Sequence, residues 1–133
     1  MKGFVETQTG KLLRKLSREV ERAAENPDEE GVHDLRVAIR RLNRCLRVFS
    51  EVYPGASWKK IRRKLKVLMD AAGEVRDRDI AATLLTDSGV KPGAPVLLRL
   101  AKERQQAADE LASELRDWSR RNVEKKWHAD LGL

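Results

Sequence analysis

Basic side chains suited to binding an anion recur along residues 31–53 at the spacing of one helix face. At about 100° per residue they share an arc of roughly 80°, centred about 140° from the apolar face. No acidic residue enters this arc before Glu51. A guanidinium donates two parallel hydrogen bonds to phosphate oxygens, and a protonated imidazole adds further donors. The pattern therefore predicts a ridge that binds a polyanion, formed by His33, Arg36, Arg40, Arg44 and Arg47.

A second basic ridge follows on the next predicted helix. Pro54-Gly55 marks a tight turn between the two helices, and helices joined by a short turn become antiparallel neighbours. Two basic ridges on neighbouring helices can line one groove, where their charges repel unless an anion neutralises them. Because such clustering costs stability, we interpret the groove as functional. The second ridge consists of Lys59, Arg62, Arg63 and Lys66.

Apolar residues at alternating three- and four-residue steps predict the helices that carry these ridges. A first helix precedes them, and its basic face can be either a solvated surface or a functional one. This face consists of Lys11, Arg14, Lys15, Arg18 and Arg22. On the second helix the apolar stripe consists of Val32, Leu35, Ile39, Leu42, Leu46, Phe49 and Tyr53.

The breaks between helices give the domain organisation. Asn26-Pro27-Asp28 and the glycine- and proline-rich residues 88–95 interrupt the helical pattern, and Asp28 and Ser57 are the expected N-caps. The residues from Trp127 onward are expected to fray. The chain is thus predicted to be all-α, with a single domain over residues 1–133. The predicted fold is an antiparallel up-down-up-down four-helix bundle with long helices at about 3–25, 29–53, 57–87 and 95–127.

Composition narrows the function. Of 133 residues, 37% are charged and 5% are aromatic, which suits a helical bundle with solvated outer faces. The formal net charge of +7 favours an anionic partner. Since there is no hydrophobic signal core and no apolar run long enough to span a bilayer, we expect a soluble cytoplasmic protein with no membrane partner. The single cysteine, Cys45, fits a reducing compartment and is expected to be a small packing residue.

Two charged residues fall on predicted apolar faces, Asp79 on the third helix and Arg104 on the fourth. Buried acids and arginines need partners, so we expect Asp79 to form a structural ion pair with an arginine such as Arg104. We assign Asp77 to structural ion pairs as well. Asp77 and Asp79 point to different sides of a helix, so we predict no metal site. Gly73 at mid-helix costs about 1 kcal/mol relative to alanine, which suggests close approach of a backbone or a ligand.

No catalytic residues are predicted. The sequence offers no paired general acid and base, no glycine-rich phosphate loop, and no HExxH or CxxC metal spacing. We therefore expect a binding protein that uses no cofactor, rather than an enzyme.

Two segments resemble the signature motifs of the CHAD domain, the conserved histidine α-helical domain. VHDLRVAIRRLNRCLRVF resembles the first motif and LKVLMDAAGEVRDRDI the second, and the resemblance covers roughly residues 5–88. It implies a helical domain that binds inorganic polyphosphate through a basic surface and associates with polyphosphate granules. The residues that match the two motifs are His33, Arg36, Arg40 and Arg41, then Lys66, Gly73, Arg76, Asp77 and Asp79. Of these, Arg41 lies away from the centre of the predicted ridge.

The chain departs from the family pattern in one respect. CHAD domains usually contain two such bundles in tandem, whereas residues 90–133 hold no second HxxR motif. Either one bundle binds alone, or two chains pair to rebuild the double bundle. We favour a homodimer, since symmetric pairing is common, with Trp118 or Trp127 as its anchor.

The sequence is also compatible with other functions. His33-Asp34-Leu35-Arg36 superficially fits a histidine phosphotransfer protein, although Val37, Arg40 and Arg41 would crowd a docking receiver domain. Nucleic acid is expected to bind weakly if at all, because the ridge has no aromatic residue for stacking and only Asn43 as a base-reading amide. A structural bundle with merely solvated charges is a further alternative.

Overall fold

The computed structural model describes residues 2–133. Within that range the chain is all-α, as predicted, and no strand occurs. The prediction of four helices is wrong, because a fifth, shorter helix follows the fourth. The helices are α1 (Lys2–Glu25), α2 (Glu29–Val48), α3 (Gly55–Asp87), α4 (Pro95–Arg120) and α5 (Val123–Asp130), with a 3₁₀ turn at Ser50–Val52 between α2 and α3.

Each of the first four helices packs against two of the others: α1 contacts α2 and α4, and α3 contacts α2 and α4. Contacting residues show the relative direction of α2 and α3. Glu29 at the start of α2 meets Arg76 in the second half of α3, whereas Asn43 near the end of α2 meets Arg62 near the start of α3. These two helices therefore run in opposite directions, and the basic stripe of each can face the same groove.

The start of α2 lies where it was predicted, whereas its end and the cap of α3 do not. The Asp28 carboxylate accepts a hydrogen bond from the Gly31 N–H at 2.7 Å, so Asp28 is the N-cap of α2, as predicted. The predicted end at Tyr53 is wrong, since α2 ends at Val48 and the 3₁₀ turn follows. The predicted Ser57 cap is wrong too. Pro54 occupies the N-cap position of α3, and its carbonyl accepts a hydrogen bond from the Ser57 N–H.

The buried side chains follow the predicted apolar stripe of α2. Six of its seven positions are buried, and Phe49 is half-buried. Leucines from α1, α3 and α4 complete the same core, for example Leu16, Leu68 and Leu111, each fully buried. Each such side chain contributes about 1.5–3 kcal/mol relative to remaining exposed. The core therefore fixes the rotation of α2 and α3 about their axes, and with it the direction in which their basic stripes point.

The second half of α3 and the first half of α4 extend past the other helices as a hairpin, because no residue between Val75 and Ala107 is buried. An ion pair closes its base. Arg104 Nε donates to Asp79 Oδ1 at 2.6 Å, and Arg104 Nη2 donates to the Pro27 carbonyl at 2.9 Å. The expected pair of Asp79 with Arg104 is thus present, and it ties the hairpin to the turn between α1 and α2.

Two expectations about the second half of α3 do not match the structure. Asp77, assigned to structural ion pairs, is exposed and has no ion-pair partner among residues 2–133. A Cβ added at Gly73 would meet no atom within 4 Å, so no backbone approaches this glycine closely. Gly73 instead faces open space, so the expected close approach of a backbone is wrong. The expected approach of a ligand stays a prediction.

The C-terminal residues do not fray. Asn122 adopts a left-handed conformation with φ of 50°, which ends the α4 segment and lets α5 turn back. Trp127 on α5 then packs edge to face against Trp118 on α4, with ring centroids 4.6 Å apart, and both side chains are buried. The expectation of fraying from Trp127 is therefore wrong, because a large aromatic side chain near the terminus buries enough apolar area to hold the short helix.

A small polar cluster is buried between α1 and the end of α2. The Thr9 hydroxyl donates to the Val5 carbonyl at 2.8 Å, lies 3.4 Å from Cys45 Sγ, and is hydrogen-bonded to the Tyr53 hydroxyl. Cys45 is buried here, as a packing residue would be. The chain leaves the helical path after Val48 and brings Tyr53 back to α1, so the early end of α2 serves this contact.

Replacing Tyr53 by phenylalanine tests that cluster. Burial raises the pKa of the Tyr53 phenol, so its neutral form is favoured in the folded state and its stabilising contribution is lost as pH rises through the folded-state pKa. We expect Tyr53→Phe to lower the free energy of unfolding by about 1 kcal/mol at neutral pH, and by less above about pH 10. Urea unfolding of both proteins at neutral and alkaline pH measures this, with Thr7→Ala as an exposed-hydroxyl control. A pH-independent difference would contradict it.

Candidate anion-binding groove

A groove separates α2 from α3 and encloses a cavity of about 460 Å³, and we call it the α2–α3 groove. It lies where the two predicted ridges were expected to meet. Its lining comes from two stretches, one from each helix. These are Ile39, Arg40 and Asn43 on α2, and Lys59, Arg62, Arg63, Leu65, Lys66, Met69 and Asp70 on α3.

The groove has an apolar floor and charged walls. Ile39 and Leu65 at the floor are buried in the core, and Met69 is half-buried beside them. Arg40 and Arg63 on the walls are exposed. Packing the apolar stripes of the two helices together places Arg40 of α2 across the groove from the cations of α3. Cations beside an apolar surface attract an anion more strongly than they would in bulk water.

One guanidinium in the groove is held in place by neighbours. Arg62 Nε donates to Asn43 Oδ1 at 3.0 Å, and the Arg62 guanidinium lies 5.6 Å from the centre of the Trp58 ring. Lys59 Nζ lies 5.9 Å from the same ring. These contacts orient Arg62 and limit its rotamer freedom, so less conformational entropy would be lost when it binds an anion. Asn43 therefore supports an arginine through its side-chain oxygen in this structure.

Positive charge in and beside the groove is largely uncompensated. Lys66 pairs with Asp70 at 2.9 Å, and both side chains are exposed, so this pair is weak. Several nearby arginines of α2 and α3 have no such partner in the described part of the chain. Within the described residues 2–133, no ion pair or side-chain hydrogen bond is formed by the exposed residues Arg40, Arg44, Arg47 and Arg63.

Arg36 has an unsatisfied donor. The side chain is half-buried, and its Nε is shielded from solvent without a hydrogen-bond partner in the part of the chain that the structure describes. A buried donor left without a partner costs about 1–3 kcal/mol.

The remaining predicted site residues lie outside the groove, which is lined by five of the eleven predicted anion-binding residues. His33 and Arg76 line a neighbouring shallow pocket, where Arg76 Nη1 is 3.4 Å from Glu29 Oε1. Arg41 lies on the opposite side of α2, in a cleft against α1. Arg44 and Arg47 are exposed on α2 without lining any of these cavities.

The comparison with protein families decides what kind of domain this is. The family model of the CHAD domain matches residues 7–132. The chain belongs to the CHAD domain family. The match includes α4 and α5, so it extends well beyond the roughly 5–88 covered by the two motifs. No curated protein and no solved structure gives a significant match to this CHAD domain.

Among residues 2–133, no group of three or more histidine, cysteine or acidic side chains is placed to hold a metal ion. None of the helices described is both long and apolar enough to cross a membrane.

Sequence reasoning overlooked three neighbours of the α2–α3 groove in this CHAD domain. Trp58 packs partly against the core and also lies beside Lys59 and Arg62. Asn43 was considered as a base reader, although its four-residue spacing from Ile39 placed the two residues side by side in the groove lining. Asp70 brings a carboxylate into the lining, and its position four residues after Lys66 was the signal for that pair.

Proposed function

We propose that this CHAD domain binds inorganic polyphosphate in the α2–α3 groove and does not act as an enzyme. Family membership is consistent with a polyphosphate-related binding role. The observation that carries the proposal is the pair of opposed groove walls, with Arg40 on α2 and Arg63 on α3 both exposed and both without an ion-pair partner among residues 2–133. An elongated anion lying between these walls would neutralise both.

The chemistry of the groove suits a flexible chain of phosphates. Each phosphate carries about one negative charge, and arginine offers it two parallel donors in a fixed geometry. Lys59 and Lys66 add point charges, and Lys66 can exchange its exposed bond with Asp70 for one with a phosphate. Polyphosphate has no bases, so the groove needs no stacking surface and no base-reading amide. The side chains in the groove region that are of the types used for base stacking and base reading, Trp58 and Asn43, contact Arg62.

The proposal also includes the arrangement of the first four helices. We propose that α1 to α4 form an antiparallel up-down-up-down bundle, with α2 and α3 as neighbours joined by the short connection at residues 49–54. The groove is lined by about one turn of α2, at Ile39, Arg40 and Asn43, and by about three turns of α3, from Lys59 to Asp70. A lining of this length would hold several phosphates at once.

Assembly and location are further proposals. A homodimer would need an anchor other than Trp118 or Trp127, because both are buried within the chain. Sedimentation at about tens of micromolar tests for it, and a monomer at that concentration would contradict it.

We also propose a cytoplasmic protein associated with polyphosphate granules, which microscopy of a fluorescent fusion beside stained granules would check.

Direct titration tests the proposed function. We expect calorimetry to detect binding of long-chain polyphosphate, with an affinity that falls steeply as salt rises, because counterions are released from a polyanion when several cations bind it. We expect a plot of log K against log salt to have a slope of roughly −3 or steeper. Short duplex DNA at matched phosphate concentration should displace polyphosphate poorly. Equal displacement by DNA would contradict the proposal, as would no binding at low salt.

A further inference from the structure

A second cavity borders α2 on the side away from the α2–α3 groove. It encloses about 380 Å³ between α1 and α2, and we call it the α1–α2 cleft. Lys15 on α1 faces α2 across it. The lining from α2 consists of His33, Asp34, Val37, Ala38 and Arg41.

The acidic groups near this cleft are already paired. Asp34 Oδ2 accepts a hydrogen bond from Arg22 Nη1 at 2.9 Å, and this bond raises the pKa of Arg22. Glu19 Oε1 forms an ion pair with Lys15 Nζ at 2.8 Å, and Glu19 Oε2 lies 3.7 Å from Arg22 Nη1. Glu30 also approaches Arg22, at 3.7 Å. The three carboxylates thus share two cations, Lys15 and Arg22, which offset most but not all of their negative charge.

The basic groups around the cleft are in excess of those acids. Arg41 is exposed and forms no ion pair with any residue between 2 and 133. The same holds for Lys11 and Arg18, which lie four residues before and three residues after Lys15 on α1. Such spacings place side chains on one helix face, so these two cations extend the basic edge of the cleft along α1.

An unbroken row of arginines joins the cleft to the groove across the outer surface of α2. Arg40 lines the groove and Arg41 lines the cleft. Arg44 follows them by four and three residues, which makes it a surface neighbour of both. All three are exposed and without ion-pair partners in the described chain. The positive surface therefore continues around α2 from one cavity to the other.

We propose that a long polyphosphate chain crosses α2 at Arg44 and occupies the α1–α2 cleft as a second binding surface, in addition to the α2–α3 groove. This inference rests on the proposed function. A helix with its side chains is about 10 Å across, so a polyphosphate of three units is too short to occupy both surfaces. The second surface thus makes the domain prefer long chains over short ones.

Titration of matched charge-reversal variants with tripolyphosphate and with long-chain polyphosphate tests this. Arg41→Glu is expected to weaken the binding of long chains about tenfold and to change tripolyphosphate affinity less than about twofold. Arg40→Glu is expected to weaken the binding of both. Arg116→Glu on α4, an exposed residue that lines neither cavity, gives the same change in net charge and serves as the control.

The outcomes separate the two proposals. If the unmodified chain binds neither ligand, both the proposed function and the second surface are overturned. If it binds long chains and Arg41→Glu does no more than Arg116→Glu, only the second surface is overturned. A loss of tripolyphosphate affinity in Arg41→Glu as large as that in Arg40→Glu would also overturn it, because the cleft would then be part of the short-chain site.

Discussion

Arg40→Glu is expected to lower the affinity for long-chain polyphosphate by about 100-fold. The substitution removes a guanidinium that has no competing partner among residues 2–133 and places a carboxylate on the wall of the α2–α3 groove. A hydrogen bond to a charged group contributes about 1.5–3 kcal/mol, and the added repulsion acts in the same direction. Calorimetric titration at low salt, with far-UV circular dichroism to confirm folding, measures the effect.

Two further variants show whether the loss of affinity is specific to the groove. Arg116→Glu changes the net charge equally from a site on α4 outside the groove, and it should cost less than about threefold in affinity. His33→Ala should weaken binding modestly, because His33 lies beside Arg76 and Arg41 rather than in the groove. Equal losses in Arg40→Glu and Arg116→Glu would show that affinity follows net charge, and the groove would then have no specific role.

The groove itself could be predicted from sequence because its position follows from local rules. The angle between Arg40 and Ile39 on α2, or between Lys66 and Leu65 on α3, is fixed by the geometry of a helix. A short connection then makes the two helices neighbours. Neither step needs knowledge of side-chain packing. In the structure, one residue of the predicted α2 ridge, Arg40, and all four of the α3 ridge line one cavity.

The roles of other charged residues depend on how helices are aligned along one another, which no local rule fixes. Arg76 is partly neutralised by Glu29 because these two residues lie at the same height on α3 and α2. The basic face of α1 could equally have been a solvated surface, and only the packing of α1 against α2 places Lys15 opposite Arg41. The α1–α2 cleft was therefore outside the reach of sequence reasoning, although Arg41 was already a candidate.

Helix ends were the least predictable part of the fold. The apolar spacing of α2 continues through Phe49 to Tyr53, so nothing in the stripe marks the end at Val48. The tertiary contact of Tyr53 with Thr9 decides the path there. At the end of α4, Asn122 with its positive φ separates two helices that the sequence pattern joins into one. Asparagine adopts a positive φ more readily than most residues do, but an asparagine in a sequence does not by itself predict one.

Trp127→Ala is expected to lower the free energy of unfolding by about 3–5 kcal/mol, the usual cost of truncating a buried aromatic residue. Trp127 is buried and lies edge to face against Trp118, so its removal leaves a cavity between α5 and α4 and exposes part of the Trp118 ring. Urea denaturation followed by far-UV circular dichroism measures the loss. Since small domains are stable by only about 5–15 kcal/mol, such a change would be a large fraction of the total.

A neighbour on the same helix gives the control. His128→Ala removes an exposed side chain next to Trp127 and should change the free energy of unfolding by no more than about 0.5 kcal/mol. If Trp127→Ala is too unstable to fold, Trp127→Leu keeps part of the apolar volume and should show a smaller loss of the same sign. A loss below about 1 kcal/mol for Trp127→Ala would mean that α5 is a fraying end, as its sequence alone suggested, because a docked helix cannot lose its largest buried side chain without that cost.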